Sequence, residues 1–154
     1  MKLPFLNRVD EQKRLNRALS GGSGYLIVLY GRRRCGKSTL IQKVSAERDS
    51  LYYLADQKEA ALQIHDLSRA IDEVVPGFSS VTKPAWDSVI SNLNGRINKP
   101  ITLYLDEFPY LVQISPELPS IIQKYLDSPG PKNVNLVLCG SSQRMMHGLV
   151  MDKS

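Results

Sequence analysis

A polar loop between an apolar run and a helical pattern constrains this chain more than any other feature. Residues 31–38 read G-R-R-R-C-G-K-S and match the pattern G-x-x-x-x-G-K-[ST] completely. Residues 25–30 before them have the apolar, β-branched and aromatic composition of a buried strand. Residues 37–48 after them carry apolar positions at helical spacing. This strand–loop–helix order predicts a loop that binds phosphate groups.

Each part of the loop has a chemical role in that prediction. Glycines let the backbone curl so that successive N–H groups point at phosphate oxygens, and the following helix adds its positive dipole end. Lys37 is expected to contact the β and γ phosphates, which makes it a candidate catalytic residue, and Ser38 is expected to bind Mg²⁺. The predicted nucleotide-binding residues are Gly31, Arg32, Arg33, Arg34, Cys35, Gly36, Lys37, Ser38 and Thr39.

A second apolar run ends in two adjacent acids. Residues 101–107 read I-T-L-Y-L-D-E, which predicts a strand followed by Asp106 and Glu107. With Ser38, Asp106 is the candidate metal ligand, because a phosphate-binding loop needs an acidic partner at the end of another strand. Glu107 diverges from its neighbour and is the candidate base for an attacking water. The alternative interpretation is a solvated acidic turn.

A further apolar run, residues 135–139, leads into Gly140, Ser141 and Ser142. In many ATPases a polar residue at this position reaches the γ-phosphate or the catalytic water. Ser141 is therefore the third candidate catalytic residue, with Ser142 as the second choice. A plain turn explains Gly-Ser-Ser almost as well.

Strands and helices alternate along the chain. Strands are predicted at residues 25–30, 51–54, 101–105 and 135–139, and helices at residues 37–48, at 57–75, from Pro84 onwards, and in a proline-broken stretch that ends at Asp127. The alternation predicts an α/β fold of three layers, in which a parallel sheet has helices on both faces. The 154 residues suffice for one domain but not for two full ones.

The net charge and the hydropathy of the sequence limit which binding partners can be expected. The net charge of +5 fits a polyanion, but nucleotide phosphates satisfy it as well as nucleic acid does, so direct nucleic-acid contact is unsupported. The longest apolar run, residues 26–29, is too short to cross a bilayer, and the N-terminus lacks a signal-peptide core. We therefore expect a cytoplasmic protein with no membrane partner.

With these motifs in order, the chain resembles the archaeal-ATPase family of prokaryotic AAA-type P-loop proteins. The matching stretches are F-L-N-R-V-D-E, L-Y-G-R-R-R-C-G-K-S-T-L-I, the helix of Trp86, L-Y-L-D-E-F-P-Y-L and L-V-L-C-G-S-S-Q-R-M-M. They cover almost the whole chain. Cys35 stands where the family more often has valine, a small apolar change that should not disturb phosphate binding.

The resemblance implies a sheet in the order 5-1-4-3-2, with Mg-ATP at the strand ends and hydrolysis served by Asp106, Glu107 and the Gly-Ser-Ser turn. It places Cys35 and Cys139 near each other. Family members continue into a fifth strand, a helical lid and further domains. Residues 1–154 are therefore expected to be a partial ATPase domain, truncated after strand four, weakly active, and coupled to other domains or subunits.

Two alternative functions remain open at this point. One is a nucleotide-gated interaction switch that binds ATP and barely turns it over. The other is a P-loop kinase that phosphorylates a small acceptor, although the sequence contains no clear arginine-bearing lid after its third or fourth strand.

Overall fold

The chain folds around a parallel β-sheet. The computed structural model describes Gly24, residues 26–30 and residues 49–140, and the following statements refer to them. Their four strands are β1 (Leu26–Tyr30), β2 (Ser50–Leu54), β3 (Ile101–Asp106) and β4 (Val134–Gly140), in the order β1-β4-β3-β2. All three pairings are parallel. The predicted α/β class is confirmed, as is the part of the predicted strand order that these strands cover.

Position in the sheet determines how deeply each strand is buried. Every residue of β3 and β4 is buried, because each of these strands has a neighbour on both sides. In β1, Leu29 is buried, but residues 26–28 are only partly covered. Among the four β1 residues whose burial is described, the prediction of a first strand buried on both faces therefore holds at Leu29 only. The reason is that β1 lies at the end of the described strand order and pairs with β4 alone there.

Four helices connect the strands: α1 (Ala60–Ile71), α2 (Trp86–Arg96), α3 (Phe108–Ile114) and α4 (Leu118–Asp127). A short 3₁₀ turn, Phe78–Ser80, lies between α1 and α2. Pro109 and Pro119, which were expected to break one helical stretch, lie in the first turns of α3 and α4, where the missing N–H has no helical partner. The helix α1 is shorter than predicted, and the helix predicted at residues 37–48 lies outside the described residues.

One face of the sheet and all four helices form a single apolar core. The buried strand residues in it are Leu51, Tyr53, Ile101, Leu103, Leu105, Val134, Leu136 and Leu138. Trp86 lies in this core: it is 2% exposed, and its indole N–H donates to the Ser115 hydroxyl at 2.9 Å. The alternate residues Tyr104, Val137 and Cys139 point to the other face and are also completely buried.

The remaining fold predictions concern cysteine and hydropathy. Cys139 is completely buried. Cys35 lies outside the described residues, so its proximity to Cys139 stays a prediction. None of the helices within the described ranges has the length and apolar character needed to cross a membrane.

We expect the core to make Leu136→Ala costly. Leu136 is completely buried in β4, so the truncation should lower the free energy of unfolding by about 2–5 kcal/mol. The matched control is Leu62→Ala on α1, where Leu62 is 51% exposed and the effect should stay within about 0.5 kcal/mol. Urea unfolding followed by circular dichroism measures both, and equal losses in the two variants would contradict this view of the core.

Candidate functional site

The candidate site is built on the carboxyl end of β3, where the strand ends in Asp106. This residue is 1% exposed. Sheet pairing holds the backbone of β3 up to this last residue. Leu54 of β2 is the register partner of Asp106, and the Ala55 N–H donates to the Asp106 carbonyl at 2.9 Å. The carboxylate therefore projects from a fixed strand and not from a loose turn, which argues against a solvated acidic turn.

Two donors orient the Asp106 carboxylate. The Tyr52 hydroxyl donates to Oδ2 at 2.5 Å, and the Glu107 N–H donates to Oδ1 at 2.9 Å. Burial of a carboxylate is costly unless hydrogen bonds compensate for the lost water, and these two bonds supply part of that compensation. These bonds fix the direction of the carboxylate, and carboxylate oxygens are chemically suited to act as metal ligands.

Glu107 begins the turn from β3 into α3. Its backbone has φ 56° and ψ 43°, and among the described residues it alone, apart from glycines, has a positive φ. A left-handed conformation costs a non-glycine residue about 1–3 kcal/mol and persists only where the surroundings impose it. Here Asp106 is held in the sheet and Phe108 is completely buried in the core, so a single residue must reverse the backbone between them.

A buried glutamine braces the elements around this turn. Gln63 of α1 is completely buried, and its Nε2 donates to the Asp56 carbonyl at 3.1 Å and to the Tyr110 carbonyl at 3.3 Å. It thereby joins the loop after β2 to the helix after Glu107. The neighbouring apolar residue Leu62 is exposed, whereas Gln63 is buried. A polar residue in a helical pattern carries no signal for such a role.

A charged cluster lies just after β2 on the way to α1. Lys58 donates a hydrogen bond to the Asp66 carboxylate and lies 3.5 Å from that of Asp56. The hydrogen bond with Asp66 raises the pKa of Lys58. Because this ammonium is paired within its own segment, we do not count it among the candidate phosphate ligands.

The Asp106 carboxylate is compatible with a magnesium ion. The described ranges contain no group of three or more histidine, cysteine, aspartate or glutamate residues that could hold a metal. Magnesium is usually bound through one or two carboxylates, with phosphate oxygens and water as the other ligands. A single rigid carboxylate such as Asp106 is consistent with that mode of binding.

The other predicted site residues lie outside the described residues. These are Gly31, Arg32, Arg33, Arg34, Cys35, Gly36, Lys37, Ser38, Thr39 and Ser141. The strands that precede them are described: β1 ends at Tyr30 and β4 at Gly140, and these two residues are register partners. Since β1, β3 and β4 are parallel, the chain leaves each of them at one edge of the sheet. Their roles remain predictions.

A cavity lies between β1 and α4. Its volume is about 570 Å³, and its apolar lining includes Leu26, Ile122 and Leu138. Neither Asp106 nor Glu107 lines it. Ile122 and Leu138 belong to the apolar core and Leu26 packs against it, so the cavity borders the helix-packed face of the sheet.

The parallel sheet, its strand order and its helices define the fold of the P-loop ATPase domains. The sequence model of the family described as "ATPase domain predominantly from Archaea" matches residues 5–154. The chain belongs to this family, which confirms the resemblance drawn from the motifs.

Individual relatives agree with that assignment. An uncharacterised protein of Methanocaldococcus jannaschii is 33% identical over 144 residues, which make up 92% of this chain and 30% of the relative. The Walker-type ATPase PABY2304 of Pyrococcus abyssi superposes with a TM-score of 0.74 at 21% identity, over 96% of this chain and 48% of that one. The ORC2 protein of Aeropyrum pernix, solved as ADPNP–ADP complexes, gives 0.67 at 18% identity, over 95% and 44%. The two solved structures establish the fold alone, and this chain spans half or less of each relative's length.

The left-handed backbone of Glu107 can be tested by comparing Glu107→Gly with Glu107→Ala. Both variants lose the carboxylate, but only glycine adopts a positive φ without a steric cost. We expect the glycine variant to be more stable than the alanine variant by about 1 kcal/mol, measured by urea unfolding. A more stable alanine variant would contradict the strained turn, because the strain would then be smaller than the extra backbone entropy that glycine loses on folding.

Proposed function

We propose that this chain binds Mg-ATP and hydrolyses it. The observation that carries the proposal is the acidic pair at the carboxyl end of β3, in which the buried Asp106 carboxylate is oriented by two donors. The phosphate-loop motif begins directly after β1, whose carboxyl end lies at the same edge of the sheet. Membership of an archaeal ATPase-domain family supports the same function.

In this proposal the nucleotide phosphates bind at residues 31–39. Backbone N–H groups of the loop surround the phosphate oxygens, and Lys37 contacts the β and γ phosphates. Ser38 and Asp106 would hold the magnesium ion. When bound, the ion would neutralise part of the negative charge on the phosphate oxygens. Arg32, Arg33 and Arg34 lie inside the loop motif, so we assign them to the rim of the nucleotide site.

Glu107 is proposed as the base. It is only partly buried and follows Asp106 directly, so its carboxylate can accept a proton from a water molecule that attacks the γ-phosphate. Its N–H orients Asp106, so one residue contributes to both halves of the site. Ser141, the first residue after β4, is proposed to contact the γ-phosphate or that water.

Two structural relatives suggest ligands. The ORC2 protein was solved with ADPNP and ADP, which supports an adenine nucleotide for this chain as well. The ORC1 protein of Aeropyrum pernix was solved with DNA and superposes with a TM-score of 0.60 at 18% identity. We do not extend DNA binding to this chain, because its arginine run lies within the phosphate loop. Because the relatives are at least about twice as long, we propose that other domains or subunits couple to this ATPase unit.

The first test of the proposal is Lys37→Ala. Loss of a charge-assisted contact with phosphate costs on the order of 1.5–3 kcal/mol, so ATP affinity should fall by at least about tenfold. Isothermal titration calorimetry with ATP and Mg²⁺ measures the change. The matched control is Lys99→Ala, at an exposed lysine just before β3, which should bind ATP as the unmodified chain does. Wild-type affinity in Lys37→Ala would refute the phosphate-loop assignment.

The second test is Glu107→Gln, which keeps the shape of the side chain but cannot accept a proton. ATP should still bind, while phosphate release should fall by about 10²–10⁴-fold, the usual contribution of a general base. The exposed Glu73 offers a matched control, since Glu73→Gln should hydrolyse ATP at the unmodified rate. Unchanged hydrolysis in Glu107→Gln would exclude the base role. Binding without any phosphate release in the unmodified chain would favour the interaction switch, and transfer to an added acceptor would favour the kinase.

A further inference from the structure

Tyr52 is a polar contact of the candidate site that the motifs do not include. It lies in β2, where it is the register partner of Tyr104. Two residues further along β2, Leu54 is the register partner of Asp106. Residues two apart in a strand point to the same face, so Tyr52, Tyr104 and Asp106 share one face of the sheet. Diagonal neighbours on adjacent strands are about 7–8 Å apart, a span that a tyrosine side chain can bridge.

The geometry of the contact is specific. The phenol donates to Asp106 Oδ2 at 2.5 Å, while the Glu107 N–H donates to Oδ1 at 2.9 Å. The carboxylate is held from the neighbouring strand through one oxygen and from its own chain through the other. Rotation of the carboxylate about its side-chain bonds would break both hydrogen bonds, so the pair of donors selects one orientation.

We infer that Tyr52 is a positioning residue for the metal-binding carboxylate of Asp106. The inference rests on the proposed function, because it assumes that Asp106 binds Mg²⁺ in the presence of nucleotide. Groups that orient a metal ligand usually change metal affinity by about 10–100-fold when they are removed. Removal of the Tyr52 hydroxyl should therefore weaken metal binding to the nucleotide complex more than it weakens nucleotide binding without metal.

The adjacent residue provides a matched control. Tyr53 has the same side chain on the same strand but belongs to the opposite, helix-packed face. Burial raises the pKa of Tyr53 to about 12, so its hydroxyl stays neutral under ordinary conditions. Tyr53→Phe removes a phenolic oxygen from β2 just as Tyr52→Phe does, but it leaves the Asp106 carboxylate with both of its described donors.

The test is a titration of the whole 154-residue chain with Mn²⁺ in place of Mg²⁺, at saturating ADP, with free Mn²⁺ measured by electron paramagnetic resonance. For Tyr52→Phe we expect the Mn²⁺ dissociation constant to rise by about tenfold or more. Binding of ADP without metal should change by less than about twofold, and Tyr53→Phe should show no shift in Mn²⁺ affinity. Unchanged Mn²⁺ affinity in a folded Tyr52→Phe would overturn the inference, as would an equal loss in Tyr53→Phe.

A second measurement does not depend on a variant that lacks the hydroxyl. With 3-fluorotyrosine placed at position 52 or 53, bound Mn²⁺ should broaden the fluorine resonance at position 52 much more than that at position 53. Equal broadening at both positions would overturn the inference. Failure of the proposed function looks different: the unmodified chain, like Asp106→Asn, would then show no ADP-dependent Mn²⁺ binding. If Asp106→Asn loses Mn²⁺ binding and Tyr52→Phe does not, only the role of Tyr52 is wrong.

Discussion

The central position of β3 is the constraint on which the rest of the structure depends. Pairing with β2 and β4 buries all six of its residues, and the last of them is an aspartate. A charge at such a position must exchange water for hydrogen bonds from the protein. The donors come from the neighbouring strand and from the next residue of the chain, Tyr52 and Glu107. The sheet thus determines both where the carboxylate lies and which groups surround it.

The same constraint explains the strained turn. Asp106 must stay in the sheet, and Phe108 must enter the core as the first residue of α3, so only Glu107 is left to change the direction of the chain. Its left-handed backbone is therefore a consequence of packing on both sides. It also turns the Glu107 N–H toward Asp106, so the strain and the orientation of the carboxylate arise from one backbone conformation.

The sequence predicted the elements and the acidic pair, because these depend on local patterns. Apolar runs of four to six residues marked the strands. Pro109 and Pro119 marked breaks in a helical stretch, and the structure shows that they lie in the first turns of two separate helices. The strand order came from the family resemblance, since periodicity does not specify which strands are neighbours. The left-handed backbone of Glu107 had no signal either, because positive φ is expected at glycine or asparagine and not at glutamate.

The contacts of Tyr52 and Gln63 could not be predicted, for a related reason. Alternation along a strand tells which residues share a face, but a diagonal hydrogen bond depends on the register between strands distant in sequence. A lone glutamine in an amphipathic helix resembles a solvent-facing residue, yet Gln63 is completely buried and joins two backbone carbonyls. Polar residues that satisfy buried partners become recognisable only when the partners are in place.

The two faces of β2 show how the fold separates stability from chemistry. Tyr53 packs with the helices, and Tyr52, one residue earlier, contacts the carboxylate of the candidate site. A change on the helix-packed face removes apolar contacts and acts on the whole folding equilibrium. A change on the other face acts first on the orientation of a single carboxylate. Because the strand period is two, a shift of one residue in the β2–β3 register would exchange these roles and place Asp106 opposite the wrong side chains. The correct pairing of β2 with β3 is therefore a requirement of the site as much as of the core.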